Sequence, residues 1–155
     1  MTEPKPTLSH IDPEGKARMV DISHKPPLLR VAKARGRIQL APATVALIQT
    51  NQIQKGEVLT VAELAGIQGA KRTADLIPLC HPLALSQIQV RASMIPEGVE
   101  VRSEVSCVGP TGVEMEALTA VSVALLTVYD MCKAVDKTMV LGPVELTEKI
   151  KHELK

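Results

Sequence analysis

Aromatic side chains are almost missing from this chain of 155 residues, which has no Trp, no Phe and a single Tyr at position 129. Stacking of bases on aromatic platforms is therefore excluded as a binding mode. An excess of charge is missing too: eighteen basic residues stand against seventeen acidic ones, for a net charge of +1. Without a global positive field, non-specific attraction to nucleic acid has no source, and nucleic acid is not an expected partner. Long apolar runs are also lacking. The most apolar stretch, residues 117–128, is shorter than the about 20 residues that cross a bilayer and is broken by Thr119, Ser122 and Thr127, so no membrane span is expected. Cysteine is sparse: Cys80, Cys107 and Cys132 are odd in number and far apart. They suit neither a disulfide framework nor a paired Cys-x-x-Cys zinc site, and reduced thiols are the expectation.

What the chain does contain is aliphatic, with 45% hydrophobic residues. Leu, Ile, Val, Ala and Met must build one core, and the length fits one domain. The first sixteen residues lack the apolar segment of a signal peptide and are rich in Pro, Glu and Lys. Residues 1–18 thus read as a mobile tail, residues 19–155 as a single catalytic domain, and the location as cytoplasmic.

The order of elements follows from periodicity. Across residues 28–40, Lys33, Arg35 and Arg37 fall on one face and Ala32, Ala34 and Ile38 on the other, the pattern of a half-solvated strand. Pro42 suits the first turn of a short helix that should stop before Lys55-Gly56. Thr60 and Glu63 have the spacing of a capping box, which predicts a helix over residues 61–72. Alternation on both sides of Pro96-Glu97-Gly98 predicts an antiparallel hairpin over residues 87–108. Thr111 and Glu114 predict a second capping box and a long helix over residues 112–135, followed by a short strand at 144–147. Strand, two helices, hairpin, long helix, strand is an α+β order of the ferredoxin-like kind, an antiparallel sheet with helices packed on one face. The long helix is apolar around most of its circumference, since Met115, Leu118, Val121, Val123, Leu125, Leu126 and Val128 cannot all face one sheet. A second subunit is expected to cover part of it.

Several residues are candidates for chemistry. Glu114 and Glu116, two apart on a helix, point about 200° from each other and are read separately. Glu114 has a structural reading as a cap, whereas Glu116 has no cap to make. Asp130 lies near the C-terminal end of its helix, where a negative charge opposes the macrodipole, and Lys133 one turn on offsets it. The pair reads either as a surface ion pair or as an acid and base presented together. Glu116 and Asp130 share nearly one face but lie about 21 Å apart along the axis. They can serve one substrate only if two chains share a site. Pro78 and Pro82 bracket Leu79, Cys80 and His81 and stiffen that connection. Adjacent Cys and His rarely ligate one zinc, no further cluster completes a set, and no metal is expected. Residues 66–73 have the flavour of a phosphate loop but fail its spacing and fall within a predicted helix. Arg30, Lys55, His81 and Lys133 together have the charge to neutralise a polyphosphate.

Two segments carry a specific likeness: residues 66–82, GIQGAKRTADLIPLCHP, and residues 111–137, TGVEMEALTAVSVALLTVYDMCKAVDK. They resemble the cyclic pyranopterin monophosphate synthase family of molybdenum cofactor biosynthesis. Supporting matches run from Leu8-Ser9-His10-Ile11 and Met19-Val20-Asp21 to Gly142-Pro143-Val144, nearly the whole chain. The resemblance implies a ferredoxin-like subunit in a homohexamer built as a trimer of dimers, with sites at a subunit interface. It implies an enzyme that rearranges cyclic dihydro-GTP to the pyranopterin and closes a cyclic phosphate with loss of pyrophosphate, using no cofactor. It places substrate binding on Leu79, Cys80, His81, Met115 and Glu116, catalysis on Asp130, and associated roles on Lys133, Lys55, Glu114 and Arg30. Asp130 with Lys133 is then the expected proton-transfer pair, with Lys55 or Lys133 as the alternative general acid. Two competing readings are a metal-dependent phosphohydrolase using Cys80, His81 and the two glutamates, and a non-catalytic oligomeric scaffold. The expectation carried forward is that residues 75–82 and 111–137 form one site for a small phosphorylated substrate.

Overall fold

Small apolar residues alternating with basic ones place β1 (Leu28–Gln39) at the centre of a sheet. Ala32, Ala34 and Ile38 are buried, and Arg35 and Arg37 face solvent, as the alternation requires. The computed structural model describes residues 11, 12 and 14–154. Leu8, Ser9 and His10 therefore lie outside the described residues, as does most of the segment read as a tail. Ile11 pairs with Ala17 in an isolated bridge, and the backbone N–H of Lys16 donates to Asp12 Oδ1 at 2.7 Å.

Pro42, with φ preset for a helix, opens α1 (Pro42–Gln49). The next helix, α2 (Val58–Lys71), starts three residues earlier than the Thr60/Glu63 spacing predicts. Glu57 is its cap, accepting from the N–H of Leu59 at 3.1 Å and of Thr60 at 2.6 Å. Its longer side chain reaches two orphan donors at once, so no box forms at Thr60. Glu63 turns instead to the sheet, where Oε1 accepts from the N–H of Ala92 at 2.9 Å. A single-turn α3 (Thr73–Leu76) follows, which periodicity cannot register in four residues.

The hairpin forms where alternation predicts it, as β2 (Leu85–Ile95) and β3 (Gly98–Gly109). Gly98 is obligatory at its turn: φ is +151°, and an added Cβ would lie 2.0 Å from the Ile38 carbonyl oxygen. The long helix is α4 (Glu114–Cys132), shorter at both ends than residues 112–135. Its N-cap is Val113 with no side-chain capping bond, so the Thr111/Glu114 box is also absent. Glu114 is drawn away to Lys149. The last strand, β4 (Val140–His152), is thirteen residues rather than four. It is exposed along most of its length, so burial writes little alternation into its sequence, and pairing with β1 defines it.

The four strands are antiparallel in the order β2-β3-β1-β4. Helix α4 lies across β1, β3 and β4, with α2 beside it over β2. The approach of α4 to β1 is close enough that a Cβ on Gly36 would fall 2.7 Å from Val121. Ser103, buried in β3, donates to the Ala117 carbonyl of α4 at 2.8 Å. Val99, Val101, Val105, Val121, Leu125 and Val128 are fully enclosed between these layers. Each such aliphatic burial contributes about 1.5–3 kcal/mol. The opposite sheet face carries Lys33, Arg35, Arg91, Arg102 and Glu104 around a hollow with no helix over it. The fold is α+β, with helices on one side of an antiparallel sheet. By length and composition alone α4 would suffice to cross a membrane, which the shorter run 117–128 did not suggest. Its buried residues are the centre of this domain's core.

Candidate active site at the two ends of one helix

At the C-terminal end of α4 the macrodipole disfavours a carboxylate, and two ammonium groups compensate Asp130. Lys133 Nζ lies 2.6 Å from Oδ1, and Lys55 Nζ lies 2.6 Å from Oδ2. Lys133 follows directly from helical spacing. Lys55 comes from the connection between α1 and α2, where the N–H of Gly56 bonds to the Ile53 carbonyl and buried Ile53 anchors the turn. The three side chains are exposed. Hydrogen bonds from Lys133 and then Lys55 bring the Asp130 carboxyl down to about 2. The Lys133 ammonium is raised in turn, mainly by its bond to Asp130.

The N-terminal end of α4 is built differently. Leu79, Cys80 and His81 follow α3 and face the first turn of α4 across a cavity of about 430 Å³, which Glu114, Met115 and Glu116 also line. His81 Nε2 sits 2.7 Å from the carbonyl oxygen of Val20. Glu116 is only 4% exposed, and burial raises its carboxyl pKa, with Glu114 adding to the rise. Although the two glutamates point apart on the helix, they therefore share one cavity and one electrostatic environment. Glu114 is ion-paired with Lys149 of β4. Burial, reinforced by Glu116, raises the Cys80 thiol, which argues for a neutral lining group rather than a nucleophile. Arg30 is at the same end, donating to the carbonyls of Gly109 at 3.5 Å and Pro110 at 3.3 Å, just before the cavity wall at Thr111.

The residues singled out from sequence thus fall into two groups. Asp130, Lys133 and Lys55 form one; Leu79, Cys80, His81, Met115, Glu114, Glu116 and Arg30 gather around the other. Fourteen residues of helix separate Glu116 from Asp130, about 21 Å. Within one chain, residues 75–82 meet only the first turns of the 111–137 segment. Sequence reasoning missed Lys25 and Ile22, which line the cavity from the segment before β1, and Lys149. Lys25 stands before the stiff pair Pro26-Pro27, a weak signal of an ordered segment. Lys149 gave none, since its strand was expected to end at 147. Among the described residues no three His, Cys, Asp or Glu side chains converge as metal ligands.

An α+β scaffold that holds an ion-paired carboxylate and two ammoniums at one end of a helix, and a carboxylate-lined cavity at the other, has the arrangement of an enzyme subunit. A sequence profile of the MoaC family matches residues 19–151, and the chain belongs to that family. Two similar proteins are both named cyclic pyranopterin monophosphate synthase. That of Desulfitobacterium hafniense is 53% identical over 143 residues, covering 92% of this chain and 88% of its own. That of Parvibaculum lavamentivorans is 56% identical over 144 residues, covering 92% and 90%. Molybdenum cofactor biosynthesis protein 1 of Drosophila melanogaster is 54% identical over 144 residues, which are 92% of this chain and 26% of that protein.

Proposed function

We propose that the chain converts cyclic dihydro-GTP into cyclic pyranopterin monophosphate with release of pyrophosphate, in molybdenum cofactor biosynthesis. The observation that carries this reading is 53–56% identity over 92% of the chain to synthases of that product. In the reaction, a substrate hydroxyl oxygen bonds to the α-phosphorus, the bridging P–O bond breaks, and pyrophosphate departs. The hydroxyl proton must go to a base, and the leaving oxygens need positive charge.

The Asp130 cluster suits the proton transfers. With a pKa of about 2, Asp130 is ionised at neutral pH, so it is the group of the cluster that accepts the hydroxyl proton, while Lys133 or Lys55, both oriented by it, is the acid. Arg30, Lys55 and His81 hold the triphosphate, with Leu79, Cys80, Met115, Glu114 and Glu116 around the pterin precursor. Donation from Nε2 to the Val20 carbonyl leaves Nδ1 of His81 as the ring nitrogen that meets substrate, and it must carry a hydrogen to donate to a phosphate oxygen.

Because the two groups are about 21 Å apart on α4, one substrate reaches both only where two chains meet. A homohexamer arranged as a trimer of dimers, with interface sites, satisfies that requirement. The exposed apolar Leu126 of α4 and Val144 and Leu146 of β4 support it as surface for a second copy. The element and strand orders support classing the subunit as ferredoxin-like, and the small-molecule substrate fits a cytoplasmic enzyme. The test is to supply cyclic dihydro-GTP to the oligomeric protein and measure pyrophosphate and pterin. One pyrophosphate per pterin is expected, and intact oligomer yielding neither overturns the reading.

A further inference from the structure

We infer that Asp136 is a positioning residue that fixes Lys55 and Lys133 on Asp130 from beneath the exposed cluster. It is 3% exposed, in the turn between α4 and β4, and makes no ion pair among the described residues. Its charge is satisfied by backbone and hydroxyl donors. Oδ2 accepts from the N–H of Ala41 at 2.7 Å, and Oδ1 accepts from the N–H of Thr138 at 2.9 Å and its hydroxyl at 2.8 Å. Burial opposes the charge, but these donors, joined by the Thr44 hydroxyl, outweigh it and keep the carboxyl below its ordinary value.

Two of the segments tied together here, the end of α4 and the start of α1, lead to the cluster. Lys133 is the C-cap of α4, three residues before Asp136, and the N–H groups of Val135 and Asp136 both return to the Cys132 carbonyl. Ala41 is the residue from which α1 starts. From there the path to Lys55 is short and stiff. Val45 and Ile48 are buried, and the N–H groups of Thr50, Asn51 and Gln52 bond back to α1 carbonyls. Ile53 anchors the turn that presents Lys55. The Lys55 ammonium also touches the Asp130 carbonyl at 3.0 Å, so a small shift of α1 relative to the end of α4 breaks two contacts. Leaving a half-buried donor unpaired at Ala41 would favour such a shift.

This inference rests on the assignment of catalysis to the Asp130 cluster, and the test separates the two. In Asp136→Asn, one amide group replaces one acceptor oxygen while volume is kept. The readouts are kcat and KM with cyclic dihydro-GTP, thermal stability, oligomeric state, and the Asp130 carboxyl pKa by ¹³C NMR. A misplacement near 1 Å lowers kcat by about 10–100-fold. We expect that loss with little change in KM, and an Asp130 pKa rising from about 2 toward the ordinary 3.8 as its lysines loosen. A purely structural role would lower stability and leave the Asp130 pKa in place. A folded Asp136→Asn with unchanged Asp130 pKa overturns the inference. Should that variant fail to fold, Ala41→Pro is read by the same criteria. The Ala41 φ of −61° suits proline, so the change removes the donor without backbone strain, and the ring Cδ, placed where the amide hydrogen was, displaces the Asp136 carboxylate from Ala41. If Asp130→Asn proves fully active, the catalytic assignment falls, while the NMR arm still decides whether Asp136 positions the lysines.

Discussion

Lys55 holds Asp130 twice, with Nζ 2.6 Å from Oδ2 and 3.0 Å from the backbone carbonyl of the same residue. The second contact ties the lysine to the helix end as well as to the carboxylate. Lys55→Ala should therefore lower turnover far more than stability, since all three members of the cluster are exposed. An effect of about 10²–10⁴-fold on kcat is the range for loss of a general acid or base. Lys55→Arg keeps the charge but not the compact ammonium that meets both oxygens, and should restore little. Steady-state kinetics beside thermal unfolding checks both; wild-type kcat in Lys55→Ala would remove it from the mechanism.

Asp130→Asn should abolish turnover while the oligomer persists. Two ammoniums would then face an amide, repel one another and lose their common anchor. The carboxylate pKa of about 2 means that this anchor operates at every pH above the acid range. Being depressed, it favours the folded state above the ordinary 3.8 and loses that contribution as pH falls toward 2. Neutral-range pH dependence of kcat must come from other groups, and loss of this anchor should show in the wild-type profile only as an acid limb below pH 4. Native mass measurement and a pH–rate profile test this together.

Glu116 predicts the opposite slope. Burial chiefly raises its pKa above the ordinary 4.5; its own backbone N–H pulls the other way, and Glu114 adds to the rise. Its contribution to folding is full below 4.5 and is lost as pH climbs through the raised value, beyond which the ionised form costs stability. Glu116→Gln should consequently be as stable as the parent at pH 5 and more stable at pH 8, yet bind substrate poorly. Thermal melts across that range decide it. A variant that is less stable at pH 8 would mean the carboxylate is held ionised by partners.

The strands with one buried face were readable because burial writes a period of two into β1, β2 and β3. β4 was not, because residues such as Val140 and Leu146 stay exposed and its pairing with β1 leaves no mark on residue type. Both predicted capping boxes failed for a related reason. Glu63 and Glu114 each found a partner from a distant segment, Ala92 and Lys149, that no local spacing reveals. Of the site, Asp130 with Lys133 was legible as an anomaly of helix electrostatics. Lys55 and the cavity wall at Lys25 depend on tertiary placement, and Lys55 reached the candidate list through family likeness and its charge.

Leu125 and Leu126 are neighbours in α4 with opposite surroundings, the first fully buried and the second 58% exposed. Leu125→Ala should cost about 2–5 kcal/mol of stability through the cavity it leaves. Leu126→Asp should cost the subunit little, but if a second copy covers this face it should lower the oligomeric state and, with it, turnover. Analytical ultracentrifugation and unfolding of both variants separate these effects; an unchanged assembly in Leu126→Asp would move the interface elsewhere.

The separation of Glu116 from Asp130 leads to the sharpest test of a shared site. If one copy supplies the Glu116 end and another the Asp130 end, then Glu116→Gln and Asp130→Asn chains are each inactive alone but complementary when mixed. In a mixed dimer one site carries both substitutions and the other carries neither. Random exchange makes about half of the dimers mixed, so activity should return to about a quarter of wild type. The mixture must be unfolded and refolded together, or exchanged for long enough that subunits redistribute, with each variant refolded alone as the control. If both ends of α4 served one site within a single chain, every site in the mixture would carry one substitution and no activity would return. A non-catalytic scaffold would show no turnover even in the unsubstituted protein carried through the same refolding, which separates that reading from a site within one chain.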